Sequence, residues 1–207
     1  MNTHKFLRIY VLALEFYRQG LNDDQVITRL KTTTEYAKIS GLAFQQSADL
    51  LTAASTGMKV DIGQVADVFT LLGDKTATSA SEIGLAFQKV GVTAESLQIP
   101  FEKVAAMIAT VSAVTRQAPE TVGTAINSIL SRVESVRKVG YDSADGTTIN
   151  QVSESLAKAG VQLTTSDGQF RNFSVVLDEL STKWGGLDTV TQRYIATTLA
   201  GTRQQTQ

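Results

Sequence analysis

Signals that end a helix recur every ten to twenty residues along this chain, and between them the apolar residues fall three and four apart. That pairing constrains the fold more than any other feature. Val65, Val68, Phe69 and Leu72 form one such stripe, and Ile83, Ala86, Phe87 and Val90 the next. Phe101, Val104, Ala105, Ile108 and Val111 follow. Val122, Ala125, Ile126, Ile129, Val133 and Val136 make the longest, and Phe173, Val176, Leu177, Leu180 and Trp184 the last. Each is the one-sided face of a helix that must pack on other helices. The expectation is a mainly α chain: a compact multi-helix bundle of short helices with antiparallel neighbours.

The boundaries are written into side chains. Ser79-Ala-Ser-Glu82 reads as a capping box, with the serine hydroxyl accepting an amide bond and the glutamate reaching back. Thr148-Ile-Asn-Gln151 has the same pattern with glutamine in the acid's place. Asn22, Asp61 and Asp188 are N-cap candidates. Pro100 and Pro119 are read as first-turn prolines, where a missing N–H costs nothing. Gly20, Gly57, Gly73 and Gly160 are read as helix stops. Arg116-Gln-Ala118 is then a short connector that folds one helix back on another. One stretch breaks the helical pattern. "GVQLTTSDGQFRNF" places Asp167-Gly168, a turn pair, between β-prone pieces, which predicts a small β-hairpin near 161–171.

Chemistry is scarce. The 207 residues include no cysteine and one histidine, His4, so disulfides, thiol catalysis and Cys/His zinc sites are excluded. A formal charge of −1 gives no reason to expect nucleic acid or an anionic membrane as the main partner. The most apolar run, Val104 to Val114, falls well short of the roughly twenty residues a membrane helix needs. The N-terminus "MNTHKFLRIYVLALEFYRQG" carries Glu15 and Arg18 after its apolar part and no small-residue cleavage site, so it reads as an amphipathic first helix.

The loop Asp142-Ser-Ala-Asp145-Gly146 has the wrong register for calcium: with Gly146 sixth, the first and twelfth places are Tyr141 and Val152. No phosphate-binding glycine motif is present. Glu102, Glu120, Glu134, Glu154 and Glu179 are the acids from which a hydrolytic pair would have to come, but each falls on a polar helix face. Arg132, Arg137 and Lys138 read as a basic helix end. No catalytic, cofactor or metal residue is assigned.

Several stretches together resemble the core region of phage tail tape measure proteins, within the phage minor tail protein family. They are "YAKISGLAFQQSADLLTAAS" (36–55), "DVFTLLGDKTATSASEIGLAFQKVG" (67–91), "FEKVAAMIATVSAVTRQAPETVGTAINSILSR" (101–132), "GVQLTTSDGQFRNFSVVLDELSTKWGGL" (160–187) and "QRYIATTLAGTRQQ" (192–205). "TRQAPETVGTAINSILSR" and "IATTLAGTRQQ" are the most specific, and the ordered set covers roughly residues 25–205.

The resemblance implies a structural, non-catalytic role: setting tail length during assembly inside the tube, then leaving ahead of the DNA at infection. It implies tail tube and tail tip proteins and assembly chaperones as partners, contact with the host envelope on ejection, and no sequence-specific nucleic acid; a homo-oligomer stays open. It implies residence in the virion tail, and in the host cytoplasm during assembly. It divides the chain into N-terminal helices over 1–35, which match less well, and a core helical domain over 36–205. Members continue as helix past Ala200-Gly-Thr-Arg-Gln-Gln205, so we expect this chain to be a piece of a longer protein.

Arg116, Gln117, Arg203 and Gln204 lie in the most family-like words. They are candidates for a partner carboxylate or for capping a helix within the domain, and we favour the internal role. Competing readings are a membrane-active module, with 101–115 and 119–137 as inserting helices, and a wall-cleaving enzyme.

Overall fold

The computed structural model describes the backbone of residues 3–139 and 149–200, and the side chains of residues 9–134 and 151–200. Arg203, Gln204, the Asp142–Gly146 loop and Thr148 of the second capping box lie outside the described residues, as do the side chains of His4, Arg137 and Lys138. The order is α1 (Thr3–Arg18), α2 (Asp23–Ser40), α3 (Phe44–Met58), α4 (Ile62–Lys75), α5 (Ala80–Ser96), α6 (Phe101–Thr115), α7 (Pro119–Val139), α8 (Ile149–Lys158), α9 (Phe173–Trp184) and α10 (Thr189–Ala200).

The helices start where short polar side chains offer an acceptor to the first orphan amides. Ser79 Oγ accepts from the Glu82 N–H while the Glu82 carboxylate accepts from the Ser79 N–H, the reciprocal box predicted from the sequence. At the start of α2 Asn22 is more than a simple N-cap, forming a reciprocal box with Gln25. Asp61 caps α4, and Asp188 accepts from the amides of Val190 and Thr191.

Helix α5 sits in the middle. It packs against α3, α4, α6 and α7, and its most extensive contact is with α7. Ile83, Ala86, Phe87 and Val90 are fully enclosed. Around them the rings of Tyr36, Phe69, Phe87 and Phe101 form a tilted aromatic cluster, with centroids 5.2–6.5 Å apart in successive contacts. Such tilted pairs add to simple area burial. A separate small core, Leu12, Phe16, Val26 and Ala48, joins α1 to α2 and α3.

Three expectations need correction. No strand occurs among the described residues, so the hairpin is replaced by a compact loop holding one isolated antiparallel bridge, Thr164 to Phe170. The reason is competition for backbone groups. Two backbone bonds flank that bridge, Thr165 N–H to the Gln169 carbonyl at 2.8 Å and Arg171 N–H to the Leu163 carbonyl at 3.0 Å, but the Gln169 N–H donates to Thr165 Oγ1 and the Thr165 carbonyl accepts from Gly168 N–H, so the pairing goes no further. Gly57 and Gly73 do not stop helices; both lie inside them. At Gly73 a Cβ would fall 2.7 Å from the Ala80 amide nitrogen, so the glycine lets the α4–α5 connection fold back against α4. The stop after α3 is instead Lys59, at φ 55°. Pro100 is the residue before α6 and not its first turn, whereas Pro119 does open α7. The short connector does bring α6 and α7 into contact, and α7 also lies along α5, where Gly123 admits the Ala86 backbone.

Candidate interaction surface

The connector between α6 and α7 carries the candidate contact residues Arg116 and Gln117, and both are exposed. Arg116 ends α6 in the left-handed region, φ 54°, with its N–H donating to the Ser112 carbonyl at 3.0 Å. Its guanidinium crosses to the connection between α4 and α5, where Nη1 donates to the Ala77 carbonyl at 2.7 Å. The capping box of α5 is at the same corner. Glu82 accepts from the Ser79 N–H at 2.7 Å, the Ser79 hydroxyl at 2.9 Å and the Thr78 hydroxyl at 3.0 Å. The Ser79 amide, then its hydroxyl, hold the Glu82 carboxyl below the ordinary range, with a smaller contribution from the Arg116 charge. Gln117 uses its own N–H toward Thr115 Oγ1 at 3.5 Å. The turn is thus tied to the start of the central helix.

A second set of polar ties fixes the C-terminal helices. Lys103 Nζ donates to the Ser174 carbonyl at 2.6 Å and hydroxyl at 2.9 Å and pairs with Asp178 at 2.6 Å, linking α6 to α9. Lys183 Nζ reaches the Gly160 carbonyl at 2.5 Å. The Arg171 guanidinium grips both oxygens of Glu179, raising its own pKa and lowering that of the acid. Between α7 and the 161–171 loop lies a cleft of about 290 Å³, floored by Val133, Leu163 and Phe173.

The acids weighed for hydrolysis are scattered over four helices. Glu102 on α6 accepts from the Gln64 side-chain amide, Glu134 on α7 from the Ser96 hydroxyl at 2.6 Å, and Glu179 on α9 from Arg171. Glu120 on α7 and Glu154 on α8 are exposed. Among the described residues no group of three His, Cys, Asp or Glu could hold a metal ion, and no helix is long and apolar enough to cross a membrane.

Helix α1 has apolar side chains on two sides. Leu12 and Phe16 are buried against α2 and α3, while Tyr10, Val11, Leu14 and Tyr17 face outward, Tyr10 at 63% exposure. A helix apolar on two faces usually lies inside a larger body. The long-range polar ties, Arg116 to Ala77 and Lys103 to Ser174, had no local signal in the sequence, because their partners lie 39 and 71 residues away.

Residues 10–201, nearly the whole chain, match the family described as phage-related minor tail protein. No solved structure matches the chain.

Proposed function

We propose, on the premise that this chain belongs to the phage-related minor tail protein family, that it is a compact structural module of a tail tape measure protein. Family membership makes it a component of the phage tail, with other tail proteins as its partners. The finer reading is that it contributes to tail assembly, length determination and genome ejection as a folded body, without catalysis.

The observation that carries the folded-body reading is the enclosure of α5 by five other helices, α2, α3, α4, α6 and α7. The longest described helix, α7, has 21 residues and reaches only about 32 Å. One unbroken helix of the whole chain would reach about 310 Å. Compactness scaling gives a body about 40 Å across. In a narrower tube lumen it has to unfold or sit at one end. The helices a membrane-active reading needs are α6 and α7, and both place their apolar faces in the core: Val104, Ile108, Val122 and Ile126 are at most 3% exposed. Within the module, Arg116 and Gln117 serve the internal role, pinning the α6–α7 turn.

Deleting this segment in frame from the complete tail gene and measuring tails by electron microscopy tests the reading. The expected result is failure to complete tails. Infective tails of normal length would remove the assembly role. Finished tails shorter by about 310 Å would replace the folded body with a ruler rod.

A further inference from the structure

Helices α2 and α4 enclose a groove of about 480 Å³. On α4 the lining residues follow one helical stripe from Gly63 through Ala66, Asp67 and Leu71 to Asp74, a length of about 16 Å or three turns. On α2 the stripe includes Glu35 and Ile39. The floor is shallow in side-chain volume because Gly63 and Ala66 are small. The rims carry two exposed aliphatic side chains, Ile39 at 59% and Leu71 at 55%. Glu35, Asp67 and Asp74 are exposed, and among the described residues none of them takes part in a hydrogen bond or ion pair. Among nearby cations, Lys38 lines the cavity on the other side of α2 with Ile9 and Phe44, while Lys31, one turn before Glu35, and Lys75, next to Asp74, flank the ends of the groove without lining it.

We propose that this groove seats a cationic amphipathic helix of a partner protein. Charge selects the sign of the occupant: three unpaired carboxylates repel nucleic acid and anionic lipid and attract lysine or arginine. Backbone accounting selects its conformation. Both walls are α-helices whose amides and carbonyls are already bonded within the helix, so an extended peptide would find no backbone partner there. A helix satisfies its own backbone and needs only side-chain contacts. Its apolar face meets Ile39 and Leu71 over the Gly63–Ala66 floor, and its flanking cations meet Glu35, Asp67 and Asp74. The groove length sets the footprint at about three turns.

The test uses the whole chain and a fluorescein-labelled fourteen-residue peptide, two repeats of Leu-Lys-Lys-Leu-Leu-Lys-Leu, with a counterpart carrying Glu for each Lys. Anisotropy titration should show binding of the cationic peptide only, weakening as salt is raised. The double variant D67N/D74N should weaken it about fivefold, as expected for two solvent-exposed ion pairs. L71S should weaken it about tenfold through lost apolar burial. All three positions are exposed, so folding is retained, and amide chemical-shift mapping on the parent gives a readout that needs no variant. Absence of binding, equal binding of the acidic peptide, affinity untouched by these substitutions, or shifts mapped to another face would each overturn the proposal. So would self-association of the chain that L71S abolishes, since a second copy would then fill the groove.

Discussion

Gly123 offers the sharpest test of how the bundle is built. It lies inside α7, buried against α5. A Cβ at this position would stand 2.5 Å from the Ala86 carbonyl oxygen and 3.0 Å from the Ala86 Cα, where ordinary contacts begin at 3.4 Å. Both atoms are backbone, so no side-chain rotation relieves the clash. Gly123→Ala therefore forces α7 to recede from α5 by a large part of an ångström. A gap of that size forfeits about a quarter to a half of the dispersion attraction along the seam, where Val122, Ile126 and Leu130 are buried. Overpacking of this kind costs about 1–3 kcal/mol, while the alanine gains up to about 1 kcal/mol in helix propensity. We expect a net loss of about 1–2 kcal/mol, or a Tm lower by about 5 °C for a chain of this size.

Gly57→Ala is the matched control. That glycine is also helical, but its nearest neighbour would be Val92 Cγ2 at 3.6 Å, an ordinary contact. Gly57→Ala should be neutral or stabilising, by up to about 1 kcal/mol. Urea unfolding followed by circular dichroism measures both. If Gly123→Ala is as stable as the parent, or if the two glycines respond alike, the close approach of α5 and α7 is not what holds the centre together.

Further predictions concern individual polar contacts. Tyr36 is 1% exposed and donates to the Ala80 carbonyl at 2.7 Å; Tyr36→Phe should cost about 1 kcal/mol in urea unfolding. Burial raises the Tyr36 phenol above its ordinary value of 10, so its contribution to stability is present below about pH 10 and declines above it, and the phenylalanine variant should lack this component. Ser79→Ala should lose about 1 kcal/mol by breaking the α5 cap. Because Glu82 is held below its ordinary 4.5, the stability it adds is complete above that pH and is lost as pH falls through the lowered value, which a pH series of melting curves on parent and S79A would show. Lys103→Met removes the donor shared by Ser174 and Asp178; a loss of about 1.5–3 kcal/mol is expected by denaturant titration, and no loss would mean that α9 docks on apolar contacts alone.

How far the structure was legible depends on the range of each interaction. The Ser79–Glu82 box, the caps at Asn22, Asp61 and Asp188 and the opening of α7 at Pro119 were readable because donor and acceptor lie within a few residues. The faces of α5 and α6 were readable because burial repeats with the helical period. The 161–171 segment misled for an instructive reason. Its alternation is real, with Val161 and Leu163 buried and Gln162 exposed, and Gly168 does turn at φ 80°. But the Gln169 N–H turns to the Thr165 hydroxyl and the Thr165 carbonyl to the Gly168 N–H, so the pairing stops at one bridge. Gly73 misled because glycine marks both helix ends and close approaches, and a single sequence does not say which; Gly57 lies one residue before the end of α3, with the stop at Lys59.

The same division holds for the contact residues. Arg116 and Gln117 drew attention through their words in the sequence, but the Ala77 carbonyl that receives the Arg116 guanidinium lies 39 residues away. The α2–α4 groove was invisible for a related reason: Glu35 is on α2, Asp67 and Asp74 are on α4, and nothing joins them until packing sets the two helices side by side.

Local amide chemistry and a 3.6-residue period were enough for the sequence alone to dictate short helices, most of their starts, and a family likeness carried by ordered words. Which helix takes the centre, how close α7 comes to it, and which acids share a groove were settled only by the folded chain. Those outcomes depend on shape fitting between segments far apart in sequence, where one missing methyl at Gly123 decides what can touch.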